Sequence, residues 1–129
     1  MRIDLTTLLV RDQDQAVTFF VDAVGFELAE DRPGTTTDGR QKRWVVVRPH
    51  GGGSGLLLAL ADGEAQAAAV GQQAGGRVGF FLQVEAFAAA YERMVAAGVR
   101  FLEEPRHEPY GTVAVFLDCE GNRWDLLGQ

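Results

Sequence analysis

Apolar residues along this chain switch between two rhythms, one suited to strands and one to helices. The opening stretch IDLTTLLV alternates loosely and predicts a strand over residues 2–10. In RDQDQAVTFFVDAVGF the apolar positions Ala16, Phe19, Phe20 and Val24 recur at helical spacing and predict an amphipathic helix. Asp12 can start it, because its carboxylate can accept from the free N–H groups of a first turn. Gly25 can end it, since glycine takes a left-handed conformation at little cost. FELAE then reads as a short strand and DRPGTTTDGRQ as a polar loop. The β-branched KRWVVVRP and the apolar LLLALA, joined by HGGGSG, predict a hairpin. DGEAQAAAVGQQAGG is small and polar, a weak helix running into a linker.

The second half repeats this plan. RVGFFLQV reads as a strand, and EAFAAAYERMVAAG as an amphipathic helix with Phe87, Tyr91, Met94 and Val95 inward and Gly98 at its end. VRFLEEPR is a strand, HEPYG a connection, and TVAVFLD with NRWDLLG a hairpin across CEG. Val10 aligns with Val84 and Gly25 with Gly98, and both halves go on to an acidic pair and a proline–arginine turn. The order β-α-β-β-β therefore occurs twice, an internal duplication rather than a solenoid. The fold expected is α+β, one domain over residues 1–129. It is built of two tandem βαβββ modules at about 1–62 and 76–129, with a linker at about 63–75. One helix covers one sheet face of each module, and the bare faces line a curved, cup-like cleft, where small ligands usually bind.

At 129 residues the chain can bury a core without disulfides, and 47% hydrophobic content excludes disorder. A net charge of −6 with no basic stripe argues against nucleic acid and against anionic membranes. The acidic balance suits a cationic small ligand, and equally serves solubility. Cys119 is the only cysteine, so there is no disulfide framework and no CxxC pair. No stretch has the pattern of a secretory signal or the roughly eighteen apolar residues of a membrane span. The expected address is the cytoplasm.

One residue in the final strand is out of place: Asp125, inside the apolar run RWDLL. A carboxylate there must be paired, face water, or hold a ligand or metal. Other chemistry is sparse. His50 and His107 sit in loop-like contexts beside prolines, in neither an HxH nor an HExxH spacing. GGGSG lacks the lysine–serine/threonine ending of a phosphate loop and precedes a strand. No catalytic residues suggest themselves.

The double β-α-β-β-β plan, with FFVDAVGFEL, AYERMVAAGVRF and VAVFLDCEGNRWDLL, resembles the vicinal oxygen chelate superfamily over essentially the whole chain. That superfamily holds glyoxalases, extradiol dioxygenases, fosfomycin-resistance enzymes and bleomycin-resistance proteins. The resemblance implies a divalent metal held by four side chains, one on the first and one on the last strand of each module. Carried over, those positions are Leu5, Gly79, an aliphatic residue of LLLALA (Leu58 in the register expected here) and Asp125. One carboxylate does not hold a divalent ion, since catalytic zinc needs about three protein ligands. No metal and no cofactor are expected.

If Asp125 occupies the family position, alternation puts Arg123, Asp125 and Leu127 on the cup face and Trp124 in the core. The same parity brings Gly79, Phe81 and Gln83 to that face, and Ile3, Leu5, Thr7 and Leu9 on the first strand. Trp44 could face either way. The candidate ligand-binding residues are Asp125, Arg123, Phe81, Gln83, Thr7, Leu5, Trp44 and Tyr110, the last in PRHEPYG, a rim or a solvated turn. Asp125 serves a cationic or amine-bearing ligand, or pairs with Arg123 or Arg77 as a structural bond. The function expected is that of a bleomycin-resistance-like binding protein, which sequesters a small, aromatic or cationic compound without chemistry and works as a homodimer. The alternatives are a metal-dependent glyoxalase- or dioxygenase-type enzyme with a non-standard ligand set, and a protein of assembly or stability with a collapsed cup.

Overall fold

Capping chemistry places the first helix where the pattern predicts it. In the computed structural model, which describes residues 1–129, the Asp12 carboxylate accepts from the Gln15 amide at 3.0 Å and α1 (Gln13–Thr18) begins. It continues as a π-helical segment, Phe19–Val24, closed by Gly25 at a φ of 100°. Ala16, Phe20 and Val24 are buried, and Phe19 sets its ring edge-on to Phe20 at 5.1 Å.

The chain divides into two compact units, Met1–Val70 and Gly71–Gln129. The architecture is α+β: three helices with two mixed sheets, one of four strands and one of five. No helix is long and apolar enough to cross a membrane.

In the first unit β1 (Leu5–Val10), β2 (Glu27–Thr35), β3 (Gln41–Arg48) and β4 (Gly55–Leu60) form a sheet in the order β1-β4-β3-β2, with α2 (Gly63–Ala69) after it. β1 and β4 run parallel, and the other pairs are antiparallel. The stretch read as a polar loop is in large part strand, since β2 runs on through Pro33 to Thr35. It is an edge strand bonded only to β3, so a residue with no N–H is tolerated there, and its charges keep the edge from pairing further. Composition alone hid this.

β3 and β4 share only two rungs, Val46↔Leu57 and Val47↔Leu56. Beyond them the side chain of Gln13 takes over. It is 8% exposed, and its Nε2 donates to the carbonyls of Arg43 (3.1 Å) and Leu58 (2.9 Å). A helix side chain thus supplies hydrogen bonds to both strands where the ladder stops. Arg43 reaches Asp14 of α1 and Asp31 of β2, at 2.6 and 2.8 Å, which places Arg43, Val45 and Val47 on the helix side of the sheet. Trp44 therefore lies on the face opposite the helix.

In the second unit β5 (Val78–Gln83), α3 (Phe87–Ala96), β6 (Arg100–Phe101), β7 (Arg106–Glu108), β8 (Gly111–Leu117) and β9 (Arg123–Gly128) follow in chain order. The sheet order is β5-β9-β8-β6, with β7 also on β8. Two expectations need correction here. The strand expected from VRFLEEPR is only two residues long, and part of the connection becomes β7, giving five strands rather than four. Between β6 and β7 the side chain of Glu103 accepts from the Val115 amide at 3.2 Å, in place of a backbone partner. On α3, Phe87, Ala90 and Met94 are buried, but Val95 is 48% exposed, rotated off the buried stripe.

Aromatic rings carry the packing of α3 onto its sheet. Tyr91 meets Phe101 (4.6 Å between centroids), Phe101 meets Phe116 (5.6 Å), Phe116 meets Trp124 (5.7 Å), and Trp124 stacks on Phe80 (4.5 Å). Trp124 is core, as its parity predicts. Its indole N–H donates to Asp118 Oδ2 at 2.9 Å, so the one polar atom of the ring is satisfied.

Candidate ligand-binding face

Register brings the chemistry together on the face of the second sheet opposite α3. Asp125 of β9 sits between Phe81 of β5 and Val115 of β8. The next row along is Gln83, Leu127 and Val113. Exposure on this face runs from 66% at Phe81 to none at Val113. Arg123 is exposed on the same face of β9, two residues before Asp125. Tyr110, 62% exposed, lies in the turn between β7 and β8, where its carbonyl accepts from Gln129 Nε2 at 3.2 Å.

Asp125 answers the question its position raises. Its Oδ1 is buried and has no hydrogen-bond partner. Neither Arg123 nor Arg77 forms an ion pair with it, so the structural-bond alternative has no support in the geometry. Burial pushes its carboxyl above the usual aspartate range; Arg106 pulls it back and Glu103 adds to the rise. This is a desolvated acid with an unused acceptor.

Arg106 is held elsewhere. Its Nε donates to both oxygens of Glu103, at 3.0 and 3.1 Å, and its Nη1 to Glu108 at 2.9 Å. These bonds, first of all the one to Glu103, raise its pKa further. The sequence left PRHEPYG, with Arg106 and Glu108, as a rim or a solvated turn and did not single out Glu103. The spacing of three between Glu103 and Arg106 was the available signal, but only the register of β7 on β8 and the bond from the Val115 amide to Glu103 bring the two to the edge of β8, one strand from Asp125.

The remaining expected residues lie on the first sheet. Leu5 pairs with Gly55 and Thr7 with Leu57 across β1 and β4. Trp44 is two strands away on β3, beside Arg32 of β2, whose guanidinium carbon lies 5.6 Å from the ring centroid. The indole Nε1 of Trp44 is buried and unpartnered. This face thus offers an unused donor, as Asp125 offers an unused acceptor.

The four-ligand metal set does not fit the residues present. Leu58 is fully buried beside Leu8 on the helix side of its sheet, and the residue that faces the other way is Leu57, next to Thr7. Leu5, Leu57 and Gly79 carry no donor atom, and Gly79 falls where the pairing of β5 with β9 shifts register. No three His, Cys, Asp or Glu side chains group to hold a metal ion. The histidines stand apart as well: His107 Nδ1 lies 3.1 Å from Thr112 Oγ1, and His50 faces Glu27 at 3.7 Å. Cys119 is exposed in the turn between β8 and β9.

Comparison with known proteins bears on this arrangement. The family model for the glyoxalase/bleomycin resistance protein/dioxygenase superfamily matches residues 2–126. An uncharacterized protein of Shewanella frigidimarina (strain NCIMB 400) is 47% identical over 121 residues, which cover 93% of this chain and 87% of that one. Among solved structures, UcmS2 matches with a TM-score of 0.81 and 35% identity, over 98% of this chain and 97% of its own. TnmS3, an antibiotic binding protein from Streptomyces sp. CB03234, matches with a TM-score of 0.75 and 30% identity, over 99% of this chain and 95% of its own. With a match across nearly its whole length, the chain belongs to the glyoxalase/bleomycin resistance protein/dioxygenase superfamily.

Proposed function

We propose that this protein captures and sequesters a small, flat, cationic compound and performs no chemistry on it. The observation that carries this reading is the buried, unpartnered Oδ1 of Asp125 between Phe81 and Val115. A buried acceptor left unmade costs about 1–3 kcal/mol, and a ligand N–H or cationic group removes that cost on binding. Phe81 supplies an exposed ring for a flat partner, and aromatic faces also attract cations. Of the four family positions that would hold a metal, Leu5, Leu57 and Gly79 offer no side-chain donor atom, and Asp125 alone is left. Similarity to TnmS3, an antibiotic binding protein, supports capture of a toxic compound as the biological use.

Fluorescence titration with acridine orange, a flat aromatic cation, tests the reading, with acridine at mildly alkaline pH as the uncharged control. Asp125→Asn keeps the shape and removes the charge. It is expected to weaken acridine orange binding by about tenfold or more, the size of one charge-assisted hydrogen bond, and to leave acridine unaffected. Equal binding of the dye by wild type and variant sinks the proposal.

A further inference from the structure

A cation whose charge reaches an orphaned carboxylate, as that of Arg106 reaches Asp125, normally becomes its partner. On this sheet it does not, and the reason lies in the edge of β8. Both backbone groups of Val115 point away from β9: its amide donates to Glu103 Oε1 at 3.2 Å, and its carbonyl accepts from the Leu102 amide at 2.9 Å. Val115 and Asp125 are therefore a non-hydrogen-bonded pair, whose side chains approach closely. The Glu103 carboxylate is anchored just one strand from Asp125. Arg106 is anchored in turn, by two bonds to Glu103 and one to Glu108. A planar guanidinium gripped on two sides has little freedom to turn toward a third acid. Asp125 feels its charge but makes no bond to it.

We propose that Arg106 is the specificity-determining residue of the Asp125 site, a resident cation that Glu103 and Glu108 withhold so that the acid stays open to a ligand's positive charge. The inference rests on the binding role argued above for Asp125 and names what keeps that site free. Two glutamates against one arginine leave the clamp with a net negative charge, so it attracts a cationic compound where a bare arginine would repel it. Anionic compounds meet Asp125, Glu103 and Glu108 together and are rejected. Once the clamp is cut, Arg106 becomes the internal competitor and closes the site from within.

The test is acridine orange titration of four forms of the full chain: wild type, Glu103→Gln/Glu108→Gln, that double variant with Arg106→Gln added, and Asp125→Asn. Glutamine at position 103 still offers a carbonyl oxygen to the Val115 amide, and a urea midpoint for each form reports its folding. The double variant is expected to bind the dye about tenfold more weakly, and the triple variant to return to within about threefold of wild type. The loss in the double variant should persist in high salt, which screens a distant field but not a direct pair. Carbon NMR gives a second readout: the Asp125 carboxyl should titrate at lower pH in the double variant than in wild type, and not in the triple. Dye binding by the double variant as tight as wild type, or a triple variant no better than the double, overturns the proposal. If Asp125→Asn weakens binding while the clamp variants do not, this inference alone fails. If Asp125→Asn has no effect, the binding reading fails and takes this one with it.

Discussion

Two aspartates seven residues apart on the β8–β9 hairpin have opposite fates. Asp118 is 5% exposed and fully employed, accepting from the amides of Glu120 and Asn122, the Asn122 side chain and the Trp124 indole. It holds the turn. Asp125 is half-buried and holds nothing, which is why it is the functional candidate. Its raised pKa carries a sign that can be measured. The native state binds this proton more tightly than the unfolded chain does. Stability is therefore lost as pH rises from the ordinary aspartate range through the raised native value, and the cost is fully present above it. Asp125→Asn removes that slope. Urea denaturation across this window should show the variant gaining on wild type as pH rises, then a constant difference. Parallel pH profiles for the two proteins would exclude a perturbed Asp125.

Gln13 shows what an element can owe to one side chain. Its place on the buried side of α1 looks like a polar intrusion into an apolar stripe, yet its amide bonds two strands where β3 and β4 stop pairing. Gln13→Ala deletes both bonds and leaves a buried carbonyl, Leu58, and a partly buried one, Arg43, short of a donor. It should cost about 2–4 kcal/mol of stability, read as a lower urea midpoint with an unchanged slope. A loss under about 0.5 kcal/mol would mean that water replaces the amide fully. The same principle explains the misread edge of the second sheet. Glu103 serves β8 as a backbone partner would, so the segment VRFLEEPR is interrupted as a strand without leaving the Val115 amide unbonded.

At the scale of the molecule, large apolar side chains remain in solvent: Ile3 at 72% exposure, Phe81 at 66% and Leu60 at 54%. We propose that the working form is a homodimer, since large apolar patches are seldom left to water. Light scattering at micromolar concentration should give twice the chain mass, and a monodisperse monomer would refute it. Elemental analysis of protein purified without chelator should find no stoichiometric divalent ion, and adding metal back should leave the melting temperature unchanged. A tightly held ion that is lost in Asp125→Ala would restore the metal-dependent reading.

Local patterns were enough to reveal the duplicated plan, both main helices, the buried parity of Trp124 and the odd placement of Asp125. Helical and strand periodicity, a capping aspartate and a closing glycine act over a few residues, so they are written within a few residues. The tertiary structure decided the rest: that Leu57 and not Leu58 shares a face with Thr7, that Trp44 lies opposite the helix, and that Glu103 and Arg106 lie along the edge of β8, one strand from Asp125. Those facts depend on register between strands distant in sequence. A shift of one residue in pairing turns every side chain to the other face, and nothing local forbids it.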